Sequence, residues 1–376
     1  MKRYLEDYII KDLEKKMVFL AGPRQVGKTT IARHILDTFN CKNYLNWDDD
    51  NHKKIILKRE WLKNEKLVVF DELHKFHRWK NWLKGVYDTE GNKPSVLVTG
   101  SARLDIFRKH GDSMMGRYYH YRLHPISVKE LSHSVASPFE ALNSIYNFGG
   151  FPEPLMSGSE IESKRWRKDK MDRILRDDVV TLESIRNISA LELLVFLLKE
   201  RVGSTLSIRS LAEDLHVSPH TIESWIDILE RMYVIFKVRP YSKSLSRAIK
   251  KEYKIYFFDI AEIDDPGIRF ENLIACHLLK YAHFKEDTEG DRYELNFIRD
   301  KEQREIDFVL IKNRLPILLV EAKLSQEEFS KNLIYYKDKY FSTIKAVQVT
   351  KKNIKDKESS HGILLQNATD LLMELV

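Results

Sequence analysis

Two cysteines in 376 residues, Cys41 and Cys276, leave neither a disulfide framework nor a cysteine-based zinc cluster available. Both are read as ordinary core or surface thiols. No stretch approaches the roughly 18 uncharged apolar residues that a membrane helix requires. The opening residues Lys2 and Arg3 give way to Glu6 and Asp7 where a signal peptide would turn apolar. A cytoplasmic protein with no membrane partner is expected. Internal repeats are absent, as is low-complexity sequence beyond short lysine pairs. Charge of one sign is also scarce: 63 Lys and Arg against 56 Asp and Glu leave a formal +7. Composition alone therefore does not point to a nucleic-acid partner, and the placement of the basic residues has to decide. His74, His77, His110, His120 and His124 share no spacing or context and are read as surface or turn residues rather than metal ligands.

What is present is apolar material for more than one core. Hydrophobic residues make up 43% and well-mixed charged residues 32% of a chain long enough for two or three domains. The first apolar run, Met17, Val18, Phe19 and Leu20, stops at Gly22 and Pro23, and a helical pattern follows from Lys28 through Leu36. Buried-type runs over residues 67–70 and 95–99 end in Asp71 and Glu72 and in Gly100 and Ser101. Strands separated by helical segments predict an α/β fold with a parallel sheet.

Between the first strand and helix, Gly22, Pro23, Arg24, Gln25, Val26, Gly27, Lys28 and Thr29 fill every fixed position of the Walker A pattern, and Thr30 follows. This is the loop expected to bind ATP. Its glycines admit backbone N–H groups to the phosphates, and the helix N-terminus adds its positive dipole end. Lys28 reaches the β- and γ-phosphates while Thr29 ligates Mg2+. Asp71 ends a buried strand at the carboxyl edge of the sheet, where it would face the metal through water. The adjacent Glu72 is suited to orient or deprotonate an attacking water, which favours hydrolysis over transfer to an acceptor. Ser101, with Thr99 as its alternative, is placed to sense the γ-phosphate or the lytic water. Arg103 and Arg117 follow, and a guanidinium from either, preferably Arg117, would neutralise transition-state charge within the chain or from a neighbouring copy in a homo-oligomer.

Downstream, residues 139–201 read as mostly helical, interrupted at Gly149, Gly150, Phe151, Pro152, Glu153 and Pro154. Ile208, Leu211, Ala212 and Leu215 share one helix face, and Ser218 with Pro219 forms an N-cap and first turn for a second helix. A hairpin should follow, giving a winged helix-turn-helix. The second helix presents His220, Thr221 and Ser224, although Glu223 and Asp227 oppose a phosphate backbone. Between Lys237 and Lys254 the basic residues Arg239, Lys243, Arg247, Lys250 and Lys251 accumulate against Glu252 alone, with Tyr241 and Tyr253 interleaved. Such a wing suits sequence-tolerant contact with double-stranded or branched DNA.

These motifs together resemble a known family. Residues 21–30, the run Phe70, Asp71 and Glu72, the run Val98, Thr99, Gly100 and Ser101, Gly116 and Arg117 with residues 123–127, and residues 149–153 recur in that order in AAA-plus-type prokaryotic ATPases carrying a C-terminal domain of unknown function. The resemblance spans most of the chain. It implies ATP hydrolysis, a winged helix and often a nuclease-like C-terminal fold.

Near the C-terminus, apolar runs over residues 306–311 and 317–320 flank a turn around Arg314. A hairpin centred there sets Asp307 opposite Glu321 and Glu305 opposite Lys323, all on one face. Opposed carboxylates call for a cation, and a divalent metal on Asp307 and Glu321 with Lys323 beside them would activate water at a phosphodiester. The arrangement resembles the PD-(D/E)xK nuclease core, with Glu271 matching its first acidic position and Ile306 standing where that family has proline.

Four segments are expected: a P-loop ATPase core over residues 1–135, a helical lid-like region over 136–202, a winged helix-turn-helix over 203–262, and an α/β restriction-endonuclease-like domain over 263–376. Two functional readings stand at this stage. One is a Mg2+-dependent ATPase coupled to DNA binding, with a metal-dependent nuclease domain. The other is an ATP-dependent switch that binds DNA or a protein partner without cleavage.

Overall fold

The computed structural model describes residues 1–62, 64–100, 114–179, 187–241 and 252–376. Ser101, Arg103, His110, Lys243, Arg247, Lys250 and Lys251 lie outside the described residues. The chain divides into two compact units, one made of residues 1–125 with 231–233 and one made of residues 126–230 with 234–376. The division falls before the boundary expected after residue 135, and residues 136–202, 203–262 and 263–376 lie almost entirely in the second unit.

In the first unit, helix α1 (Glu6–Leu13) precedes strand β1 (Met17–Ala21), helix α2 (Lys28–Thr38), β2 (Asn43–Asn46), α3 (Asp50–Lys58), β3 (Leu67–Asp71), α4 (Trp79–Glu90), β4 (Ser95–Thr99) and β5 (Tyr118–Arg122). The strands form one wholly parallel sheet in the order β2-β3-β4-β1-β5. Every residue of β1 and β3 is buried, as expected of central strands covered on both faces. Because β4 lies between β1 and β3, its last residue, Thr99, stands between the loop after β1 and Asp71 at the end of β3. Phe19, Phe70, Trp61 and Trp79 anchor the core on one face. His74 and His124, read as surface or turn residues, are instead only 5% and 2% exposed. His74 is drawn in by the tight 3-10 turn that follows Glu72.

In the second unit, short α5 (Val128–Ser132) closes a full capping box between Ser127 and Glu130. Helices α6 (Pro138–Phe148), α7 (Pro152–Ser157), α8 (Glu160–Arg173) and α9 (Ile188–Lys199) follow. Next come α10 (Ile208–Asp214) and α11 (Pro219–Arg231), the expected helix pair, with Ser218 Oγ accepting from the Thr221 N–H at 3.1 Å. The remaining elements are β6 (Ile235–Pro240), β7 (Lys254–Phe257), the long α12 (Pro266–Glu289), β8 (Tyr293–Arg299), β9 (Glu305–Lys312), β10 (Leu315–Lys323), α13 (Lys331–Tyr340), β11 (Lys345–Thr350), β12 (Lys357–Glu358), β13 (Ile363–Asn367) and α14 (Ala368–Glu374). A single mixed sheet runs β12-β13-β11-β10-β9-β8-β6-β7. The hairpin after the helix pair is therefore part of the C-terminal sheet, with β6 pairing to β8 at Arg239 with Asn296 and Pro240 with Phe297. Among the described residues, no helix is long and apolar enough to cross a membrane.

The segment around Gly149 has a structural task. Gly149 has φ +80°, and a Cβ there would lie 2.5 Å from Asp259 Oδ1. That carboxylate is buried with Lys170, whose Nζ is 3.8 Å from Asp259 Oδ2 and 3.3 Å from the centre of the Phe151 ring. Burial pushes the lysine below and the aspartate above its ordinary pKa, so each depends on the other for its charge. At Gly158, with φ +59° and ψ 12°, a Cβ would meet nothing within 4 Å and incurs only the left-handed helical backbone cost, whereas Gly149, at ψ 175°, adds both the contact and a glycine-only backbone region. Gly149→Ala should destabilise the chain by roughly 1–3 kcal/mol more than Gly158→Ala in urea unfolding. Equal losses would show that the Gly149 turn is not packed against Asp259.

Candidate functional site

The loop between β1 and α2 is bent by residues with positive φ: Gly22 at 149°, Gln25 at 62° and Gly27 at 102°. At Gly22 a side chain is sterically excluded, because a Cβ would sit 2.4 Å from the Leu123 carbonyl oxygen. Lys28 is buried at the start of α2, where its ammonium donates to the loop carbonyls of Gly22 at 2.9 Å and Pro23 at 2.6 Å. Its charge is thereby folded over the loop that is to meet phosphate.

Asp71 gathers the neighbouring groups. Its Oδ2 accepts from the Thr29 hydroxyl at 2.8 Å and from the Tyr44 hydroxyl; its Oδ1 accepts from the Thr99 hydroxyl and from the Glu72 N–H at 3.1 Å. Burial, reinforced by Asp71, pushes the Tyr44 phenol up to about 12, so Tyr44 stays a donor. The Thr29 hydroxyl and Asp71 carboxylate are the oxygen donors that Mg2+ prefers, and they already converge beside the phosphate loop, so the residues present fit that ion. Glu72 adopts φ +56° after the strand. Its carboxylate lies 3.6 Å from His74 Nε2 and 3.4 Å from Lys75 Nζ, and burial raises its pKa above the ordinary value despite Lys75 and Lys28 nearby. Pro23, Arg24, Val26 and Thr30 occupy their expected places in the loop and first turn.

Arg117 is placed elsewhere. It immediately precedes β5, its carbonyl accepts from the Met17 N–H, and its guanidinium forks onto Asp88 at 2.8 and 3.2 Å. The register Met17 to Tyr118 and Ala21 to Arg122 sets it at the opening edge of the sheet, about 13–16 Å of strand from the phosphate loop. The expectation that it neutralises charge at its own chain's loop is corrected accordingly. Sequence reasoning also passed over Arg3, which is buried and donates to the Val26 carbonyl at 3.0 Å and the His124 carbonyl at 2.6 Å, clamping the loop from behind. Only a long-range fold contact makes that role visible.

The C-terminal acidic residues do come together. The β9–β10 hairpin turns on Asn313 and Arg314, both at positive φ; a bulge between Pro316 and Leu318 then pairs Val320 with Phe308, which carries Asp307 opposite Glu321 one step further. Asp307 Oδ2 accepts from the Ala322 N–H at 2.9 Å, and Glu321 Oε1 accepts from the Ser330 hydroxyl at 3.1 Å. Lys323 Nζ lies 2.9 Å from Glu321 and 3.8 Å from Asp307. Glu305 does not reach Lys323; it pairs with Lys254, a 1% exposed side chain that also lies 3.7 Å from Glu271. Glu271 in turn accepts from the Tyr256 hydroxyl at 2.7 Å. Among the described residues, no group of three or more His, Cys, Asp or Glu is arranged as a metal cage; here Lys254, Lys323 and Arg299, the last 3.8 Å from Glu305, share the work of balancing the carboxylates.

The basic wing is correspondingly smaller than its sequence suggests. Lys237 is 5% exposed, held by Asp227 and by Glu230 at 3.0 Å, and Lys254 is turned into the carboxylate cluster. Of the proposed DNA contacts, the exposed Arg239 is the one within the described residues.

Burial, with Asp307 adding to it, pushes both Glu271 and Glu321 from an ordinary 4.5 up to about 7. Across pH 4.5–7 these two sites therefore hold more protons in the folded than in the unfolded chain, so their contribution to stability falls as pH rises through this window. Glu321→Gln should flatten that fall in thermal melts taken from about pH 5 to pH 8; an unchanged slope would show that Glu321 does not titrate there.

Residues 14–132 match the family described as AAA domain, residues 139–261 a domain of unknown function (DUF8612), and residues 266–366 a domain of unknown function (DUF4143). An uncharacterized protein of Methanocaldococcus jannaschii is 24% identical over 98% of this chain and 89% of its own length. An uncharacterized Haemophilus influenzae protein is 23% identical over 99% of this chain and 98% of its own. Among solved structures, the Walker-type ATPase PABY2304 of Pyrococcus abyssi is similar over 73% of this chain and 95% of that chain, with TM-score 0.42 and 14% identity. RuvB of Thermotoga maritima is similar over 62% and 88%, with TM-score 0.33 and 17% identity. The chain thus carries an AAA-type ATPase domain followed by a C-terminal domain of unknown function.

Proposed function

We propose that this protein is a Mg2+-dependent ATPase whose nucleotide cycle governs DNA handling by its second unit, with the Asp307 cluster as a metal-dependent nuclease centre. The observation that carries the ATPase reading is the meeting of Thr29 and Asp71 at 2.8 Å beside a loop held by Lys28. Thr29 and Asp71 would hold Mg2+, which would supply charge neutralisation to the β- and γ-phosphates. Lys28 exchanges its loop carbonyls for phosphate oxygens, and Glu72 takes the proton of the attacking water. Glu72 must be ionised to do so, so turnover falls as pH drops through its raised pKa. A finger role for Arg117 belongs to a neighbouring copy in a homo-oligomer, since its own loop is at the other edge of the sheet.

Glu72→Gln is expected to lower kcat by about 10²- to 10⁴-fold while ATP affinity, measured by calorimetry, changes little. Unchanged turnover removes Glu72 from the chemistry.

The nuclease reading rests on Asp307, Glu321 and Lys323 converging within hydrogen-bond and ion-pair reach. The alternative is a nucleotide-dependent switch that binds DNA or protein without cutting. It is favoured by one observation: Lys254 and Lys323 already sit on the carboxylates that a metal would need. Plasmid and branched DNA incubated with Mg2+ or Mn2+, with and without ATP, separate the two. Cutting by the intact chain that is lost in Asp307→Ala supports the nuclease; no cutting with either metal leaves the switch. DNA stimulation of ATP hydrolysis in the same samples tests the coupling.

A further inference from the structure

Away from the carboxylate cluster, the second unit has a cavity of about 430 Å3 whose lining includes Tyr241, Asn296, Tyr340, Phe341, Arg292 and Arg314. The rings are contiguous: Phe341 lies 6.3 Å from Tyr241 and 6.4 Å from Tyr340, centre to centre, at interplanar angles of 56° and 58°. Tyr340 is 53% exposed at the last turn of α13, and the Lys339 ammonium stands 5.2 Å over its ring. Both guanidiniums are exposed. Arg292 is engaged by Glu294 at 2.7 Å, whereas Arg314, carried at the hairpin tip at φ +70°, has no ion-pair or hydrogen-bond partner among the described residues. The Asn296 amide donates Nδ2 to the Arg239 carbonyl at 3.1 Å.

An exposed aromatic face beside a free guanidinium, opening into a cavity large enough for a base and sugar, is the composition that binds unpaired nucleotides. Rings stack on any base, and cations follow the backbone. A peptide of acidic residues would use the arginines but leave the rings unanswered. The position also matters. Ser330 caps the N-terminus of α13 and donates to Glu321, while Tyr340 ends the same helix, so cavity and carboxylate cluster lie about 15 Å apart along ten helical residues.

We propose that this cavity holds a base of single-stranded nucleic acid, stacked on Tyr340 and Tyr241, with the flanking phosphate on Arg314. The proposal rests on the nucleic-acid part of the reading above and is independent of cleavage.

The test is fluorescence anisotropy of labelled oligothymidine, oligouridine, an abasic strand of equal length and a DNA duplex, with the full chain in EDTA without ATP. Oligothymidine or oligouridine should bind about tenfold more tightly than the abasic strand, and Tyr340→Ala and Arg314→Ala should each remove most of that advantage. Tyr340→Phe should keep it, and unchanged melting of the variants excludes unfolding. The contrast between oligothymidine and oligouridine tells DNA from RNA; preference for either supports the site. Equal binding of abasic and base-bearing strands, wild-type affinity in both alanine variants, or stronger displacement by a polyglutamate peptide than by unlabelled strand overturns it. Duplex binding that survives such an outcome leaves the DNA-handling reading standing; loss of all nucleic-acid binding removes this site and that reading together, while the ATPase reading keeps its own test.

Discussion

The Asp71 carboxylate is the point on which the first unit turns. It closes a ring of donors from separate pieces of sequence: Thr29 from the first turn after the phosphate loop, Tyr44 from β2, Thr99 from β4 and the backbone of Glu72. These donors orient both oxygens of the buried carboxylate, which with the Thr29 hydroxyl form the kind of oxygen donor set a hard cation prefers. The same contacts fix the carboxyl ends of neighbouring parallel strands in register, so the geometry that prepares the nucleotide chemistry also holds the sheet edge together.

In the second unit a comparable arrangement is built with cations as well. Four acidic side chains, Glu271, Glu305, Asp307 and Glu321, meet cations, Lys254 and Lys323 with Arg299 3.8 Å from Glu305, in addition to neutral donors from Tyr256, Ser330 and the Ala322 N–H. Although burial lowers the pKa of each lysine, the surrounding carboxylates raise it further, so both remain charged. Two of the acids respond by becoming easier to protonate. The cluster is thus poised between proton and ammonium as competing counterions.

Much of this was legible in the sequence wherever the signal is local. The buried strands ending at Gly22, Asp71 and Thr99 announced a parallel sheet, because apolar runs of that length bounded by glycine and aspartate have few other uses. The opposition of Asp307 and Glu321 followed from a fold-back centred on Arg314 and their shared face from strand period, although the turn is one residue tighter than that symmetric fold-back and a bulge restores the register. What escaped was long-range. Arg3 behind the phosphate loop, and Lys254 and Tyr256 among the C-terminal acids, act through contacts across tens or hundreds of residues of sequence, which no periodicity encodes. Lys237 and Lys254 read as a basic wing for the same reason: composition records charge and not the direction in which it points.

The sheet that joins β6 and β7 to β8 carries its own consequence. Lys254 and Tyr256 belong to the hairpin that follows the helix pair, yet their polar ends terminate on Glu271 and Glu305 from later segments. A polypeptide severed between residues 262 and 263 would strip those acids of their nearest cation and expose two backbone edges at once. The helix pair's hairpin and the acidic face are consequently one folding piece: a cut or insertion that parts them forfeits the charge balance of the cluster.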